Sequence, residues 1–315
     1  MAKLDRRMRL VGWALRKASI AEMDGERLAA LQTREVPHNP LSDYVNGGVA
    51  RGAVLTDRTV AGQDGPLPVR IYYPSRRATG PLPLVLNFHG GGWTLGTLGQ
   101  ADWLCSNICV GTGVVVVSVA YRLAPAHRWP AAPEDCYAAL VDVVARADDF
   151  GVDPARVGVM GDSAGGNLAA VVSLMARDRS GPTISHQALI YPATDLTLGS
   201  ESIDANANAP ILNRSECLAY RAHYLGDADP KQPYVSPLLA DDHTGLPPAL
   251  VQVAEHDPIR DDGVRYAAQL RAAGVPVRLT TYYGMPHGYL AFPKLCKGAP
   301  QALGELTEQI GAALT

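Results

Sequence analysis

The feature that most constrains the fold is a series of short β-rich runs that alternate with helical stretches from about residue 50 onward. The runs stay apolar along their length, as Val114–Val119 does, instead of alternating apolar and polar residues. Unbroken apolar runs are typical of parallel strands that are covered on both faces. The predicted strands are Val69–Tyr73, Leu84–Phe88, Val114–Val119, Arg156–Met160, Ala188–Tyr191, Leu250–Ala254 and Val277–Tyr283. The predicted helices between them include Cys136–Arg146, Asn167–Arg177 and Val264–Ala273. This alternation predicts an α/β fold in which helices flank both sides of a mostly parallel central sheet.

The composition and charge of the 315-residue chain exclude several classes of protein. The chain is 47% hydrophobic and 19% charged, as in an ordinary globular protein, and its formal net charge of −3 gives no electrostatic support to nucleic-acid binding. The five cysteines are scattered and include no CxxC pair, which predicts buried or free thiols in a reducing compartment. The sequence has no run of 18 apolar residues and no secretory signal pattern, so we expect no transmembrane segment and a cytoplasmic location.

The first 35 or so residues are predicted to be helical and are strongly basic. Six of the first 17 residues are Lys or Arg, against one acidic residue, Asp5. Such a helix either packs over the rest of the protein or lies on a membrane surface, and the sequence leaves both open. The apolar positions of the predicted helix are Leu4, Met8, Val11, Leu15 and Ile20.

A second segment, residues 196–235, interrupts the alternation of strands and helices. It is polar, contains proline and holds its own predicted helix, Ser215–Leu225. We therefore expect residues 1–50 and the 196–235 insertion to form a small helical cap. The core beneath this cap would comprise residues 51–195 and 236–315. The cap residues that are candidates to line a pocket are Trp13, Tyr44, Tyr220, His223 and Tyr224.

The pentapeptide Gly161–Gly165, with the sequence Gly-Asp-Ser-Ala-Gly, carries the predicted nucleophile. It follows a predicted strand directly and precedes a predicted helix, which is the context that a G-x-S-x-G nucleophile elbow requires. A serine on so sharp a turn has unfavourable backbone angles, and the two glycines leave room for the crossing backbone. Gly166 completes the glycine spacing of a phosphate-binding loop, but Asn167 and Leu168 stand where that loop has Lys and Ser or Thr. We therefore predict that Ser163 is a nucleophile.

A run of three glycines after His89 predicts a close approach of the backbone to a ligand. Consecutive glycines weaken helices and strands, so packing does not account for them. After a strand, they let the backbone turn its N–H groups toward a substrate carbonyl oxygen, as in the oxyanion hole of an acyl-transfer enzyme. His89 itself is expected to tie the loop down through hydrogen bonds, with a role as catalytic base as the alternative. The predicted oxyanion-hole donors are the N–H groups of Gly90, Gly91, Gly92 and Ala164.

The acid and the base are predicted from chain order and from the ends of the last two predicted strands. In this architecture the nucleophile is followed by Asp or Glu and then by His, each just past a strand. Asp257 and His287 meet both conditions. Glu255 and Asp261 remain alternatives for the acid. His256 also follows a strand, but its neighbour Asp257 is better placed as the acid, and the sequence therefore predicts a Ser-His-Asp triad.

Several motifs occur together in the chain: His89-Gly90-Gly91-Gly92-Trp93, Tyr121-Arg122-Leu123-Ala124-Pro125, Gly161-Asp162-Ser163-Ala164-Gly165-Gly166-Asn167, Tyr191-Pro192, Tyr234-Val235-Ser236-Pro237, Asp257-Pro258-Ile259-Arg260-Asp261 and Pro286-His287-Gly288. With these motifs the chain resembles the hormone-sensitive-lipase-like branch of the α/β-hydrolase fold, the bacterial family IV esterases, over about residues 50–315. The resemblance implies a Ser163, Asp257 and His287 triad, with the oxyanion hole in the Gly90–Gly92 loop and Ala164. It also implies a small-molecule ester substrate with a short to medium acyl chain, and no cofactor.

Two positions depart from the pattern of this family. The family typically has Glu after Tyr-Arg-Leu-Ala-Pro, where this chain has Ala126, and His256 is a less usual residue before the acid. Neither position belongs to the triad, so the resemblance still implies catalysis. We expect local hydrogen bonding near Asp135 to differ from that of the family, and His256 to affect the pH profile.

The predicted chemistry is hydrolysis of a carboxylic ester by two-step acyl transfer through an acyl-enzyme. Fold and triad do not decide the leaving group, so hydrolysis of an amide, lactone or carbamate stays open. A non-catalytic ligand-binding protein of the same fold is a further alternative, although such proteins usually lack the base or the acid. The sequence contains neither H-E-x-x-H nor a Cys/His cluster, so we expect no metal site. It also leaves a homodimer open.

Overall fold

The computed structural model describes residues 2–15, 19–34, 39–76 and 80–315, within which eight strands form one sheet. The strands are β1 Ala53–Gly62, β2 Gly65–Pro74, β3 Leu82–Phe88, β4 Val115–Val119, β5 Val152–Asp162, β6 His186–Ile190, β7 Ala249–His256 and β8 Val277–Pro286. Their order across the sheet is β1-β2-β4-β3-β5-β6-β7-β8. β2 is antiparallel to β1 and β4, and the remaining neighbours are parallel. The predicted α/β fold with a mostly parallel sheet is confirmed.

Helices cover both faces of this sheet. The described helices are α1 Arg6–Leu15, α2 Gly25–Gln32, α3 Pro40–Asn46, α4 Asp102–Thr112, α5 Ala131–Ala145, α6 Ala147–Phe150, α7 Ala164–Asp178, α8 Glu201–Ala205, α9 Arg214–Leu225, α10 Arg260–Ala272 and α11 Gly298–Leu314. α5, α7 and α10 pack in one hydrophobic cluster, and α4 and α11 pack in a second. Val115 and Val117 of β4 face the first cluster, and Val116 faces the second. Two buried faces explain the unbroken apolar run of this strand. All five cysteines lie in the described residues, where each is buried and free.

The elements around the nucleophile meet more closely than the sequence predicts. β5 continues to Asp162, and α7 begins at Ala164 instead of near Asn167. Glycine has low propensity for both helix and strand, so propensity alone ends the strand too early and starts the helix too late, and tertiary packing overrides it here. The sequence also missed β1 and α11. β1 is an edge strand in which five of the ten residues are exposed and one is buried, so it lacks the apolar run that marks the other strands.

The N-terminal region is divided into short helices instead of one long one. α1 and α2 are separated by a 3-10 turn, and the basic residues at positions 16–17 lie outside the described residues. Gly12 of α1 packs so closely on Pro210 that a Cβ atom would overlap it. The Ile20 N–H donates to Glu216 Oε2 of α9 at 3.1 Å. The two segments expected to form a cap therefore contact each other, while their division from the core stays a prediction. In the part of the chain that the structure describes, no helix is long and apolar enough to cross a membrane.

Candidate active site

Ser163 lies at the sharp turn between β5 and α7 in a strained backbone conformation. Its φ is 56° and its ψ is −117°, a combination that residues with a side chain rarely adopt. A Cβ atom on Gly161 would overlap the carbonyl oxygen of Gly165, and a Cβ atom on Gly165 would overlap that of Phe88. The glycines are therefore required by the crowding that the sequence predicts. The turn places Ser163 in the wall of a pocket.

His287 and Asp257 lie next to Ser163 in a chain of hydrogen bonds. Ser163 Oγ is 2.8 Å from His287 Nε2, and His287 Nδ1 is 2.7 Å from Asp257 Oδ2. The other carboxylate oxygen, Asp257 Oδ1, accepts the N–H of Ile259 at 2.9 Å. Asp257 is fully buried directly after β7, and His287 is 6% exposed directly after β8. The structure thus brings together the three side chains that the sequence selects from distant positions.

The alternative acids have other partners. Glu255 accepts the N–H of Ala2 at Oε1 and the N–H of Gly284 at Oε2, each at 2.8 Å. His256 Nε2 lies 2.9 Å from the carbonyl oxygen of Ala2. Asp261 accepts the Ser202 N–H at 3.0 Å. Glu255 and His256 therefore hold the start of the chain against the ends of β7 and β8, a role that sequence reasoning missed.

In the glycine loop after β3, one of the predicted oxyanion-hole donors already has another partner. The Gly90 N–H donates to Asp162 Oδ1 at 2.8 Å, so it is not available to a substrate oxygen. Gly91 and Gly92 have φ values of +124° and +60° and line the pocket beside Ser163. Among the hydrogen bonds of the described residues, none is donated by the N–H of Gly91 or Gly92. The Ala164 N–H lies at the start of α7, where helical N–H groups have no partner within the helix.

Asp162 was not singled out from the sequence, although it lies inside the nucleophile pentapeptide. It is the last residue of β5, directly before Ser163, and it ties the glycine loop to the nucleophile turn through Gly90. Burial raises the pKa of the Asp162 carboxyl, and the hydrogen bond from the Gly90 N–H opposes that shift. The partner lies 72 positions away, and sequence spacing alone does not indicate such a contact.

His89 packs behind the glycine loop and does not contact Ser163. Its ring stacks on Tyr121 with centroids 4.3 Å apart, and the Tyr121 hydroxyl donates to the His89 carbonyl oxygen at 2.7 Å. Burial lowers the pKa of His89 to about 4, so the ring is neutral at neutral pH. A Cβ atom on Gly96 would overlap the same ring. These contacts support the predicted loop-fixing role of His89 and leave the base position to His287.

Asp135 follows Ala126, the position where this family typically has Glu, and its carboxylate accepts several hydrogen bonds. Its carboxylate accepts Arg122 Nε at 2.8 Å, the Arg122 backbone N–H at 3.0 Å and the Gln63 N–H at 3.3 Å. Asp135 therefore fixes Arg122 of the Tyr-Arg-Leu-Ala-Pro motif without a glutamate at position 126. The effect of His256 on the pH profile stays a prediction.

The pocket that contains Ser163 and His287 has a volume of about 230 Å³. Its walls are mostly apolar and come mainly from the glycine loop, from the 196–235 segment and from the loop after β8; they include Trp93, Leu196, Leu198, Ile211, Leu212 and Phe292. Of the predicted cap candidates, Tyr220 lines the pocket, and Tyr224 instead stacks on Trp93. Trp13 and Tyr44 are exposed.

Within the described residues, no group of three or more His, Cys, Asp or Glu side chains is arranged to hold a metal ion.

Comparison with known proteins identifies the family of this chain. A family profile described as the alpha/beta hydrolase fold matches residues 85–291. The chain is 45% identical to carboxylesterase NlhH of Mycobacterium tuberculosis over 79% of this chain and 80% of that protein. It is 44% identical to the carboxylic ester hydrolase LipN of the same organism, over 83% of this chain and 71% of LipN.

Solved structures agree with these sequence matches. The hyperthermophilic esterase from the archaeon Pyrobaculum calidifontis superimposes with a TM-score of 0.85 at 35% identity, covering 98% of both chains. Its similarity extends over the N-terminal helices as well as the sheet, because nearly the whole of each chain is included. The chain therefore belongs to the hormone-sensitive-lipase-like carboxylesterases of the α/β-hydrolase fold.

Proposed function

We propose that this chain hydrolyses carboxylic esters by acyl transfer, with Ser163 as nucleophile, His287 as general base and Asp257 as the acid that orients His287. The observation that carries the proposal is the unbroken hydrogen-bond chain from Ser163 Oγ to Asp257, at distances of 2.8 and 2.7 Å. This chain begins in a pocket that also contains Gly91 and Gly92. Nucleophile, base and oxyanion donors thus surround one position where an ester carbonyl fits.

In the first step, His287 Nε2 takes the proton of Ser163 as Oγ attacks the ester carbonyl carbon. The carbonyl oxygen gains negative charge and accepts hydrogen bonds from the N–H groups of Gly91, Gly92 and Ala164. The bond to the alcohol oxygen then breaks, and His287 gives its proton to the departing alcohol. In the second step water loses a proton to His287, attacks the acyl-enzyme and releases the carboxylic acid, while Ser163 regains its proton.

Asp257 is suited to stabilise the positive charge that His287 carries in both steps. It is fully buried, so its interaction with the imidazolium is weakly screened by water. The hydrogen bond from Ile259 fixes the carboxylate, and the bond to Nδ1 leaves Nε2 facing Ser163. The dipole of α7, whose N-terminus lies at Ser163, adds favourable interaction with negative charge on the substrate oxygen.

Residues 1–50 and 196–235 act as a cap that limits the size of the substrate. Ile211, Leu212 and Tyr220 of the second segment line the pocket, and Ile20 of the first holds α9 through Glu216. The pocket volume of about 230 Å³ is below the range of about 300–1,000 Å³ that encloses drug-sized ligands. These features support short- to medium-chain acyl esters as substrates.

A series of p-nitrophenyl esters with acyl chains from C2 to C16 tests this substrate class. We expect kcat/KM to peak near C4 to C6 and to fall by about tenfold or more at C12, because longer chains exceed the pocket. A maximum at C12 or longer would contradict the proposed limit. A p-nitroanilide with the best acyl chain serves as the matched control, and turnover equal to that of its ester would replace the ester proposal with an amidase.

Replacing Gly91 with alanine tests the proposed oxyanion hole. The φ of Gly91 is +124°, and a Cβ atom there would overlap the carbonyl oxygen of Leu95, so the loop must move. We expect kcat to fall by about 10²–10³, the usual cost of losing one oxyanion donor. Gly151→Ala is the control, because Gly151 also has a positive φ but has no atom within 4 Å of the added Cβ. A folded Gly91→Ala enzyme with wild-type kcat would exclude Gly91 from the hole.

A further inference from the structure

The outer face of α1 presents large apolar side chains to solvent. Leu10 is 67% exposed and Trp13 is 69% exposed, whereas Met8 and Gly12 of the same helix are buried. Met8 packs in the second hydrophobic cluster and Gly12 packs on Pro210, so the exposed positions of α1 are not needed to attach it. Exposure of a tryptophan to this extent is uncommon in a folded chain, because its burial is so favourable.

Three arginines lie among these apolar side chains. Arg6, Arg7 and Arg9 are all exposed, and α1 contains no acidic residue. Residues four apart lie on the same side of a helix, so Arg6 is beside Leu10 and Arg9 is beside Trp13. Asp5, the nearest acid, accepts the N–H groups of Arg7 and Met8 at the start of α1. This concentration of positive charge contrasts with the net charge of −3 of the whole chain.

We propose that the outer face of α1, formed by Arg6, Arg7, Arg9, Leu10 and Trp13, docks on the surface of an anionic phospholipid bilayer. Trp13 and Leu10 enter the boundary between headgroups and acyl chains, where the indole ring is favoured. The arginines pair with lipid phosphates and overcome the repulsion between the acidic chain and an anionic surface.

A second copy of the chain fits this face poorly. In a twofold-symmetric dimer the same patch faces itself. The arginines at positions 6, 7 and 9 would then approach their own counterparts with no acidic residue of α1 to pair with them. A bilayer supplies the missing negative charge as well as an apolar layer, so charge complementarity favours the lipid surface.

The position of α1 links this surface to the pocket. The inner side of α1, at Gly12 and Leu15, borders a second cavity of about 560 Å³. That cavity and the pocket of Ser163 share Ile211 and Tyr220 as walls. Docking through α1 therefore places the cap side of the protein nearest the lipid. The opposite edge of the sheet then faces away from the bilayer. This orientation bears on the proposed function only if the substrate is dissolved in the bilayer, and the docking itself does not depend on esterase activity.

Co-sedimentation of the full chain with vesicles tests the apolar half of this surface. We expect binding to phosphatidylcholine vesicles that contain phosphatidylglycerol, and little binding to phosphatidylcholine alone. The double variant Leu10→Ala with Trp13→Ala should lower the partition coefficient by about tenfold or more. The double variant Val54→Ala with Val141→Ala is the control, because both side chains are exposed apolar groups on β1 and α5 at the opposite edge of the sheet, and it should bind like the wild type.

The charged half is tested by the triple variant Arg6→Gln, Arg7→Gln, Arg9→Gln. Each basic residue near an anionic surface contributes about fivefold to binding, so the triple change should lower the partition coefficient by about 10²-fold. A control of equal charge change replaces basic residues that are exposed elsewhere, namely Arg51, Lys231 and Lys294, with glutamine and should have a much smaller effect.

Two results would overturn the proposal. One is wild-type binding that is absent or equal on neutral and anionic vesicles. The other is a wild-type dimer, measured by light scattering, that the Leu10 and Trp13 substitutions convert to a monomer, because a second copy would then cover the face. Unfolding midpoints equal to that of the wild type establish that the variants are folded.

Discussion

Ser163→Ala is expected to lower kcat for p-nitrophenyl acetate by about 10⁵–10⁶, the largest effect of any single change in this chain. Without the hydroxyl no acyl-enzyme forms, and His287 has no proton to take. Binding and the proposed oxyanion donors remain, so the variant should keep a rate about 10³–10⁴ above that of the uncatalysed reaction. Steady-state assays at saturating ester, with enzyme free of wild-type contamination, measure this residual rate.

A covalent label provides an independent measurement of the same assignment. A fluorophosphonate should add once to the wild type, and peptide mass spectrometry should place the adduct on Ser163. Ser173→Ala is the matched control, because Ser173 lies on α7 as well but is buried with its hydroxyl donating to the Ala169 carbonyl oxygen at 2.8 Å. Full labelling of Ser163→Ala, or an adduct at another serine, would refute the nucleophile assignment.

The positions of these site residues could be predicted because each depends on local sequence. A nucleophile elbow is a strand, a tight turn and a helix in succession, and Gly161 and Gly165 are needed for reasons of space that apply within a few residues. Asp257 and His287 each follow a parallel strand directly. The carboxyl ends of parallel strands meet at one edge of the sheet, so order along the chain was enough to bring them together.

What could not be predicted depends on contacts between distant segments. The Gly90 N–H is used by Asp162, so only the structure separates it from its neighbours in the glycine run. The roles of Glu255 and His256 require Ala2, more than 250 positions away. Likewise, the sequence left α1 as either a packed or a membrane-surface helix. Its buried and exposed faces, known only from the structure, make it a packed helix with a free basic and apolar surface.

Asp257→Asn is expected to lower kcat by about 10⁴ while KM changes little. The amide keeps the size of the side chain but carries no charge, so it no longer stabilises the imidazolium, and its NH₂ group favours the tautomer of His287 with the proton on Nε2. That tautomer cannot accept the proton of Ser163. The measurement is the dependence of kcat and kcat/KM on pH for both enzymes.

Glu255→Gln is the matched control for this change, because it removes the same charge two residues away in the same strand end. Glu255 touches Ala2 and Gly284 but neither Ser163 nor His287, so its loss should lower the unfolding midpoint and reduce kcat by less than about tenfold. The two carboxylates thus affect different measurements. Loss of the Asp257 charge should lower kcat, because it acts in the chemical step. Loss of the Glu255 charge should lower the unfolding midpoint, because Glu255 attaches the N-terminal segment. A kcat loss for Glu255→Gln as large as that for Asp257→Asn would contradict the assignment of Asp257 as the acid.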